Sequence, residues 1–183
     1  MKSRDYLLLG IFVTLLIALV VFSEQILFHD TVEYFNLVKA FADYAVVKAH
    51  STHSMVYTYL LSPFVQLLPS LLTIKILNVL WLGLIAFLLI TNGYKKAFLL
   101  FIFSPMVWTS APQLTPVLPA AFFATWAYLD WHKWLSTKKK RHFIITALSL
   151  GFSMALYSPM FIVTVLFILA FMRQTTIKQL IAF

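Results

Sequence analysis

The chain has 183 residues, of which 62% are hydrophobic and only 11% are charged, and its mean hydropathy is +0.90. A soluble domain carries about a quarter charged residues, so this composition excludes an ordinary soluble fold and indicates an integral membrane protein. The net charge of +8 comes from short basic clusters between apolar runs, which is typical of membrane topology signals and excludes a nucleic-acid interface. The absence of cysteine excludes disulfides and thiolate metal sites.

Apolar runs separated by charges and prolines predict an all-α, polytopic membrane bundle of about six transmembrane helices. We treat residues 1–183 as a single transmembrane module and expect the first helix to be uncleaved, since no small-residue cleavage site follows it. The third and fifth predicted helices are too short to cross about 30 Å of hydrocarbon alone. The predicted spans are about 6–22, 71–90, 97–110, 117–131, 142–156 and 160–172.

The distribution of lysine and arginine predicts the orientation of these helices. With the N-terminus inside, eleven of the fourteen lie on the inner side, at positions 2, 4, 95, 96, 133, 138, 139, 140, 141, 173 and 178. Only Lys39, Lys48 and Lys75 lie on the outer side. This asymmetry predicts a multi-pass protein of a prokaryotic plasma membrane with a cytoplasmic N-terminus, and favours a hairpin at Pro159 over one kinked helix. Topology and contact with anionic lipid explain the basic turn Lys138–Arg141.

The first outer segment, residues 23–70, holds four of the six acidic residues of the chain. From about residue 31 to residue 48, polar side chains recur at steps of three, three and four, which predicts an amphipathic helix lying in the interface or against the bundle. These polar residues are Glu33, Asn36, Lys39 and Asp43. A second short helix is predicted from about Ser54, ending near Pro63.

Asp30 and Glu33 are the candidate catalytic residues of this segment. A carboxylate at the membrane surface can act as a general base toward a sugar hydroxyl or help to hold a divalent cation. The alternative is a capping box, with Asp30 at the N-cap and Glu33 three residues on, which uses both carboxylates on N–H groups of their own helix.

Four further residues of the segment have both a functional and a structural interpretation. His50 and His53 are spaced to share a helix face as a metal pair, although no third ligand is fixed by local spacing. Their alternative is two interfacial histidines that bond water and backbone. Tyr57 and Tyr59 are explained most simply as aromatic residues of the membrane interface.

The order of these features resembles a known family. A first helix with its N-terminus inside is followed by an outer Asp30-Thr-Val-Glu-Tyr34, two amphipathic helices with a His-containing turn, Ser62-Pro63 and then short helix pairs. This layout resembles the N-terminal part of the GT-C superfamily of polytopic membrane glycosyltransferases, which includes protein O-mannosyltransferases and lipid A aminoarabinose transferases. The resemblance extends over the whole chain in layout, and its motif is short.

The resemblance implies transfer of a sugar from a polyprenyl-phosphate donor to an acceptor at the outer face. Asp30 would be the catalytic base or a metal-associated acid, with Glu33 the weaker candidate, and a divalent metal ion is the one cofactor that this role would admit. The residues that would line the substrate cavity by position are Tyr34, His50, His53 and Tyr57.

Two departures from the family keep other functions open. Segment 110–119 lacks the second acid that such enzymes commonly place between their third and fourth helices, and such enzymes are usually at least twice as long as this chain. We therefore expect the sequence to be a fragment, and a non-catalytic membrane subunit or scaffold that binds a partner through the outer loop is the alternative. A small transporter is disfavoured, because apart from Lys75 and Asp130 the spans are uncharged.

Overall fold

The computed structural model describes residues 3–23, 29–43, 54–68, 70–113 and 115–174, and the regular structure within these ranges is entirely helical. The predicted all-α class is confirmed. In chain order the helices are α1 Ser3–Phe22, α2 His29–Ala42, α3 Met55–Leu67, α4 Leu71–Thr91, α5 Lys95–Ile102, α6 Pro105–Ser110, α7 Val117–Thr137, α8 Lys140–Leu156 and α9 Met160–Gln174.

Helices α1 and α4 pack antiparallel and form the centre of one core. A polar contact fixes each end of the pair: Asp5 meets Lys95 where α1 begins, and Ser23 meets Lys75 where α1 ends. We name these the Asp5 end and the Ser23 end of the molecule. The buried apolar residues between the two helices include Phe12, Leu16 and Val20 of α1 and Val79, Leu82 and Ala86 of α4. Both helices are long and apolar enough to cross a membrane.

The predicted continuous helix over residues 97–110 is wrong, because α5 and α6 are separate helices. Pro105 is the first residue of α6, where its missing N–H leaves no hydrogen bond unmade, and it prevents α5 from continuing through Ser104. The indole nitrogen of Trp108 donates to the carbonyl of Ile102 at 2.8 Å, which satisfies a carbonyl at the end of α5. Together α5 and α6 lead from the Asp5 end back to the Ser23 end.

Helices α7 and α8 form a long hairpin that turns at the Asp5 end. Helix α7 continues to Thr137, beyond the predicted end at residue 131, because Trp134 is buried and packs against Phe143 of α8. Lys138 then ends α7 in the left-handed conformation, with φ of 52°. At the opposite end of the hairpin, the hydroxyl of Ser153 donates to the carbonyl of Ala120 at 2.9 Å.

The two amphipathic helices α2 and α3 pack against each other, and α3 also contacts α4 and α8. The apolar face of α2 is buried through Tyr34, Leu37, Val38 and Ala42, and Asn36, Lys39 and Asp43 are exposed, as the polar stripe predicts. Helix α2 ends at Ala42, earlier than predicted.

Helix α3 does not end near Pro63 but continues to Leu67, with the proline inside it. A proline at this position cannot donate to the carbonyl of Tyr59, one turn earlier. The hydroxyl of Ser62 donates to that carbonyl instead, at 3.1 Å. The helix therefore passes the proline without leaving that carbonyl unsatisfied.

Helix α9 folds back toward the Asp5 end after the turn at Pro159. Its Phe167 ring contacts the rings of Tyr128 and Trp131 in the second half of α7, with centroids 6.4 and 5.4 Å apart. This placement agrees with the predicted hairpin between α8 and α9.

Candidate functional site

The polar groups that the fold gathers at the Ser23 end define the candidate site. They come from the end of α1, from α2 and α3, and from the first two turns of α4. We refer to them as the Ser23-end cluster, which comprises Ser23, Tyr34, Ser54, Tyr57, Lys75 and Asn78.

The buried lysine is the residue of this cluster best suited to take part in a reaction. Lys75 is only 4% exposed, and its ammonium donates to the hydroxyl of Ser23 at 3.2 Å and to the carbonyl of Ser23 at 3.4 Å. An ammonium group is costly to bury in an apolar bundle unless polar groups or an anion surround it. The contact fixes a positive charge at the point where the chain leaves α1.

The candidate carboxylates follow closely along the chain from that point. Asp30 lies seven residues after Ser23, in the first turn of α2, which begins at His29. The capping box stays a prediction, because the side chain of Asp30 lies outside the described residues. A carboxylate in the first turn of a helix interacts favourably with the helix dipole. Glu33 is partly buried one turn further on.

The structure does not describe the side chains of three predicted site residues, Asp30, His50 and His53. The side chain of Asp30 lies outside the described part of the structure, as do His50 and His53 altogether. Their assignments as base, metal ligands or substrate contacts remain predictions. In the described ranges of the chain, no group of three or more His, Asp or Glu side chains could hold a metal ion.

Tyr34 and Tyr57, which were predicted as cavity-lining residues, meet in the interior between α2 and α3. Their rings pack edge to face, with centroids 5.3 Å apart and an interplanar angle of 83°. Tyr57 is 1% exposed, so its interpretation as an aromatic residue of the membrane interface is wrong, whereas Tyr59 is exposed. The hydroxyl of Tyr34 accepts a hydrogen bond from the backbone N–H of Ser54 at 3.2 Å.

Ser54 joins three helices at this point. Its hydroxyl caps α3 by accepting from the N–H of Tyr57 at 3.2 Å, and it donates to the carbonyl of Ala155 near the end of α8 at 3.0 Å. Since Ser54 also donates to Tyr34, it links α2, α3 and α8. Sequence reasoning did not identify Ser54, although a serine directly before an apolar helix is a usual N-cap signal.

The hydroxyl of Tyr57 is buried beside the backbone of Thr115 and makes no hydrogen bond of normal geometry within the described part of the chain. Burial raises the pKa of this hydroxyl well above its ordinary value, the neighbouring Tyr34 raises it further, and the Thr115 backbone opposes the shift. Tyr57 is therefore a neutral phenol at every physiological pH. It can donate a hydrogen bond and cannot act as a base.

Asn78 holds the proline-rich segment, residues 110–119, over the same end of the molecule. It is 1% exposed, and its amide nitrogen donates to the carbonyl of Ala111 at 3.1 Å and to the carbonyl of Gln113. Lys75 and Asn78 lie one turn apart on the α4 face toward α1 and the proline-rich segment, whereas Ile74 packs with the Tyr34–Tyr57 pair. A lone asparagine within an apolar span signals such a role.

Two other described carboxylates, Asp5 and Asp130, are paired at the opposite end. Asp5 accepts from the ammonium of Lys95 at 2.7 Å, and Asp130 lies 2.6 Å from the imidazole of His142 across the α7–α8 turn. Both carboxylates are buried, so their partners offset the cost of removing them from water. They lie at the Asp5 end and therefore belong to the scaffold.

The described ranges thus form an all-α protein in which α1 and α4 meet the length and composition needed to cross a membrane, with a polar cluster at one end of this pair. No protein-family model matches the sequence, and no curated protein or solved structure shows a detectable similarity to the chain.

Proposed function

We propose that this chain is a membrane-embedded glycosyltransferase, or the N-terminal module of one, that transfers a sugar from a polyprenyl-phosphate-linked donor. The observation that carries the proposal is the buried ammonium of Lys75, which lies at the exit of α1. The helix that follows α1 along the chain is α2, and Asp30 is its second residue. A cation for a phosphate and a carboxylate for a hydroxyl are the two groups that this chemistry requires.

The proposed topology has six crossings with the N-terminus in the cytoplasm of a prokaryotic cell. They are α1, α4, the broken pair α5–α6, α7, α8 and α9, so that the Ser23 end faces outward. The excess of lysine and arginine at the Asp5 end supports this orientation. The broken pair lies against α1 through Phe12, whose ring contacts both Phe101 and Trp108. At the break, the carbonyl of Ile102 accepts from the indole of Trp108, so this backbone group has a partner, as a membrane environment requires.

In the proposed reaction, the acceptor hydroxyl attacks the anomeric carbon of the donor sugar. Asp30 takes the hydroxyl proton, the bond from the anomeric carbon to the phosphate oxygen breaks, and polyprenyl phosphate leaves with the electron pair. Attack opposite to the leaving group inverts the anomeric configuration. Lys75 offsets the charge that develops on the phosphate, and burial strengthens this interaction.

The test is turnover of polyprenyl-phosphate-linked hexose and pentose by the protein in proteoliposomes. Because a general base contributes about 10²–10⁴-fold, we expect Asp30→Asn to reduce turnover by at least about a hundredfold. Asp43→Asn is the matched control, because it makes the same substitution at an exposed carboxylate directly after α2, and it should retain most of the activity. Lys75→Met should raise the KM for the donor, since it removes the cation that meets the phosphate.

Membrane insertion of each variant can be checked by labelling an introduced cysteine. The chain contains no cysteine of its own, so no other thiol is labelled. Single cysteines at Ser70 and Asn92, at the two ends of α4, should react with an impermeant thiol reagent from opposite sides of the membrane. Turnover that is unchanged in a correctly inserted Asp30→Asn variant would sink the assignment of Asp30.

The second candidate is a non-catalytic membrane subunit. It is favoured by segment 110–119, which contains no acidic residue and in which Asn78 engages the carbonyls of Ala111 and Gln113. In that case the exposed polar stripe formed by Asn36 and Lys39 of α2 and by Asp43, directly after it, would bind a partner. Absence of turnover with every donor, together with a co-purifying protein that is lost on altering this stripe, would replace the enzyme by this alternative.

A further inference from the structure

A cavity of about 380 Å³ lies between α7, α8 and α9, partly open to the surface of the molecule. It lies in the half of these helices toward the Asp5 end, away from the Ser23-end cluster. Its wall includes Trp131 of α7, Phe143 and Leu150 of α8, and Phe167 and Met172 of α9. The volume is in the range of pockets that bind small ligands.

The residues that line the cavity indicate that its occupant is a hydrocarbon chain. Thr146 and Trp131 are the two lining residues whose side chains carry a polar atom. The hydroxyl of Thr146 donates to the carbonyl of His142 at 2.9 Å, and the indole nitrogen of Trp131 is buried, with no hydrogen-bond partner among the described residues. The exposed surface of the wall is almost entirely apolar, so it offers too few polar groups to orient a sugar, a nucleotide or a peptide backbone. An apolar chain is the occupant that such a wall accommodates, because it brings no polar groups that would be left unpaired.

The basic residues at the rim of the cavity, at its Asp5 end, indicate that the occupant has an anionic head group. Lys140 lies one turn before Phe143 on the lining face of α8, and Arg173 directly follows Met172, so both lie near the cavity at the Asp5 end. The ammonium of Lys138 lies 4.5 Å from the ring centroid of Trp134, which in turn packs on Phe143. Positive charge is thus held beside the mouth of the cavity.

Negative charge near this rim is already engaged. Asp130 is the only acidic residue of the sequence after Asp43, and it is buried against His142. The side chains of Lys139, Lys140 and Arg141 are exposed. A cluster of exposed cations next to an apolar cavity matches the two parts of an anionic phospholipid, a phosphate and an acyl chain.

We propose that the cavity between α7, α8 and α9 holds an acyl chain of an anionic phospholipid whose phosphate is bound by the basic turn Lys138–Arg141. The site is separate from the proposed sugar-transfer site, because it lies at the opposite end of the molecule and uses none of the same residues. It depends on membrane embedding and does not depend on catalysis.

The test measures quenching of tryptophan fluorescence by brominated lipids in vesicles of phosphatidylcholine that contain the whole chain. Trp131 lines the cavity, so a brominated acyl chain in the cavity quenches it directly. Because the chain has five tryptophans, the signal of Trp131 is taken as the difference between the parent chain and Trp131→Phe. We expect brominated phosphatidylglycerol to quench more strongly than brominated phosphatidylcholine at the same mole fraction.

Two variants separate the cavity from the charge. Ala147→Phe fills the cavity from α8 and should abolish the difference between the two lipids, whereas Leu148→Phe on the exposed side of α8 should not. The double variant Lys139→Gln and Lys140→Gln should weaken the preference for phosphatidylglycerol by about fivefold per lysine. Its matched control is Arg4→Gln with Lys96→Gln, which removes two exposed cations at the same end outside the rim.

Three results would overturn the proposal. Equal quenching by the two brominated lipids would show ordinary surface lipid without selectivity. A preference for phosphatidylglycerol that survives Ala147→Phe would place the lipid outside the cavity. Absence of the extra quenching together with protection of Trp131 from both lipids would show that protein, either a second copy or another segment of the chain, fills the cavity.

Discussion

Asn78 should control whether the proline-rich segment stays closed over the Ser23 end. Asn78→Ala removes two hydrogen bonds, to the carbonyls of Ala111 and Gln113, in a fully buried setting. Each such bond contributes about 0.5–1.5 kcal/mol, and values within membranes average about 0.6 kcal/mol. We therefore expect a loss of about 1–3 kcal/mol of unfolding free energy.

The matched control is Asn36→Ala, which makes the same substitution at an exposed position of α2. Exposed substitutions of this kind change stability by less than about 0.5 kcal/mol. The two variants should be compared by denaturant titration in detergent, with helix content followed by circular dichroism. Equal losses in both variants would refute the assignment of a structural role to the Asn78 hydrogen bonds.

A local measurement separates release of the segment from global unfolding. A cysteine at Gln113 keeps the backbone carbonyl that Asn78 binds and introduces the only thiol of the chain. In the Asn78→Ala background this thiol should be alkylated faster under conditions where helix content is unchanged. An unaltered rate would show that other contacts hold the segment.

Two further predictions concern the tyrosine pair. Tyr57→Phe should change the free energy of unfolding by less than about 0.5 kcal/mol, because the hydroxyl that it removes has no hydrogen bond of normal geometry. Tyr34→Phe should lower it by about 1 kcal/mol, because the hydrogen bond to Ser54 is lost. Equal losses in denaturant titration would contradict these assignments. Burial raises the pKa of Tyr57 above the value near 10 of the unfolded chain, so its contribution to stability is fully present below about pH 10 and is lost as pH rises through the folded-state pKa. Phenolate absorbance and unfolding should show this loss in the parent chain and not in Tyr57→Phe, and an identical alkaline midpoint in both would refute it.

The sequence predicted the helical class and most helix positions because apolar runs of this length have few alternatives. The predicted spans 6–22 and 71–90 agree with α1 and α4 within a few residues, and the polar stripe of α2 correctly indicated its exposed face. These features are local: they depend on the composition and period of a single segment.

The errors occurred where distant contacts overrule local signals. Residues 132–137 look like a polar turn, yet α7 continues through them because Trp134 finds a buried position against α8. Pro63 suggested a helix end, yet the hydroxyl of Ser62 compensates for the missing donor. Neither compensation can be seen in the order of hydrophobic and polar residues.

The sequence by itself determined that this chain is helical and strongly apolar, with two segments long enough to cross a membrane, because composition and hydrophobic period fix both. Only the tertiary structure decided which polar residues meet. Ser23 and Lys75 are 52 residues apart, and Tyr34 and Ser54 are 20 apart, so no local pattern relates them. Their contacts exist because antiparallel packing of α1 with α4 and pairing of α2 with α3 return distant segments to the same end of the molecule, where buried polar groups must find partners.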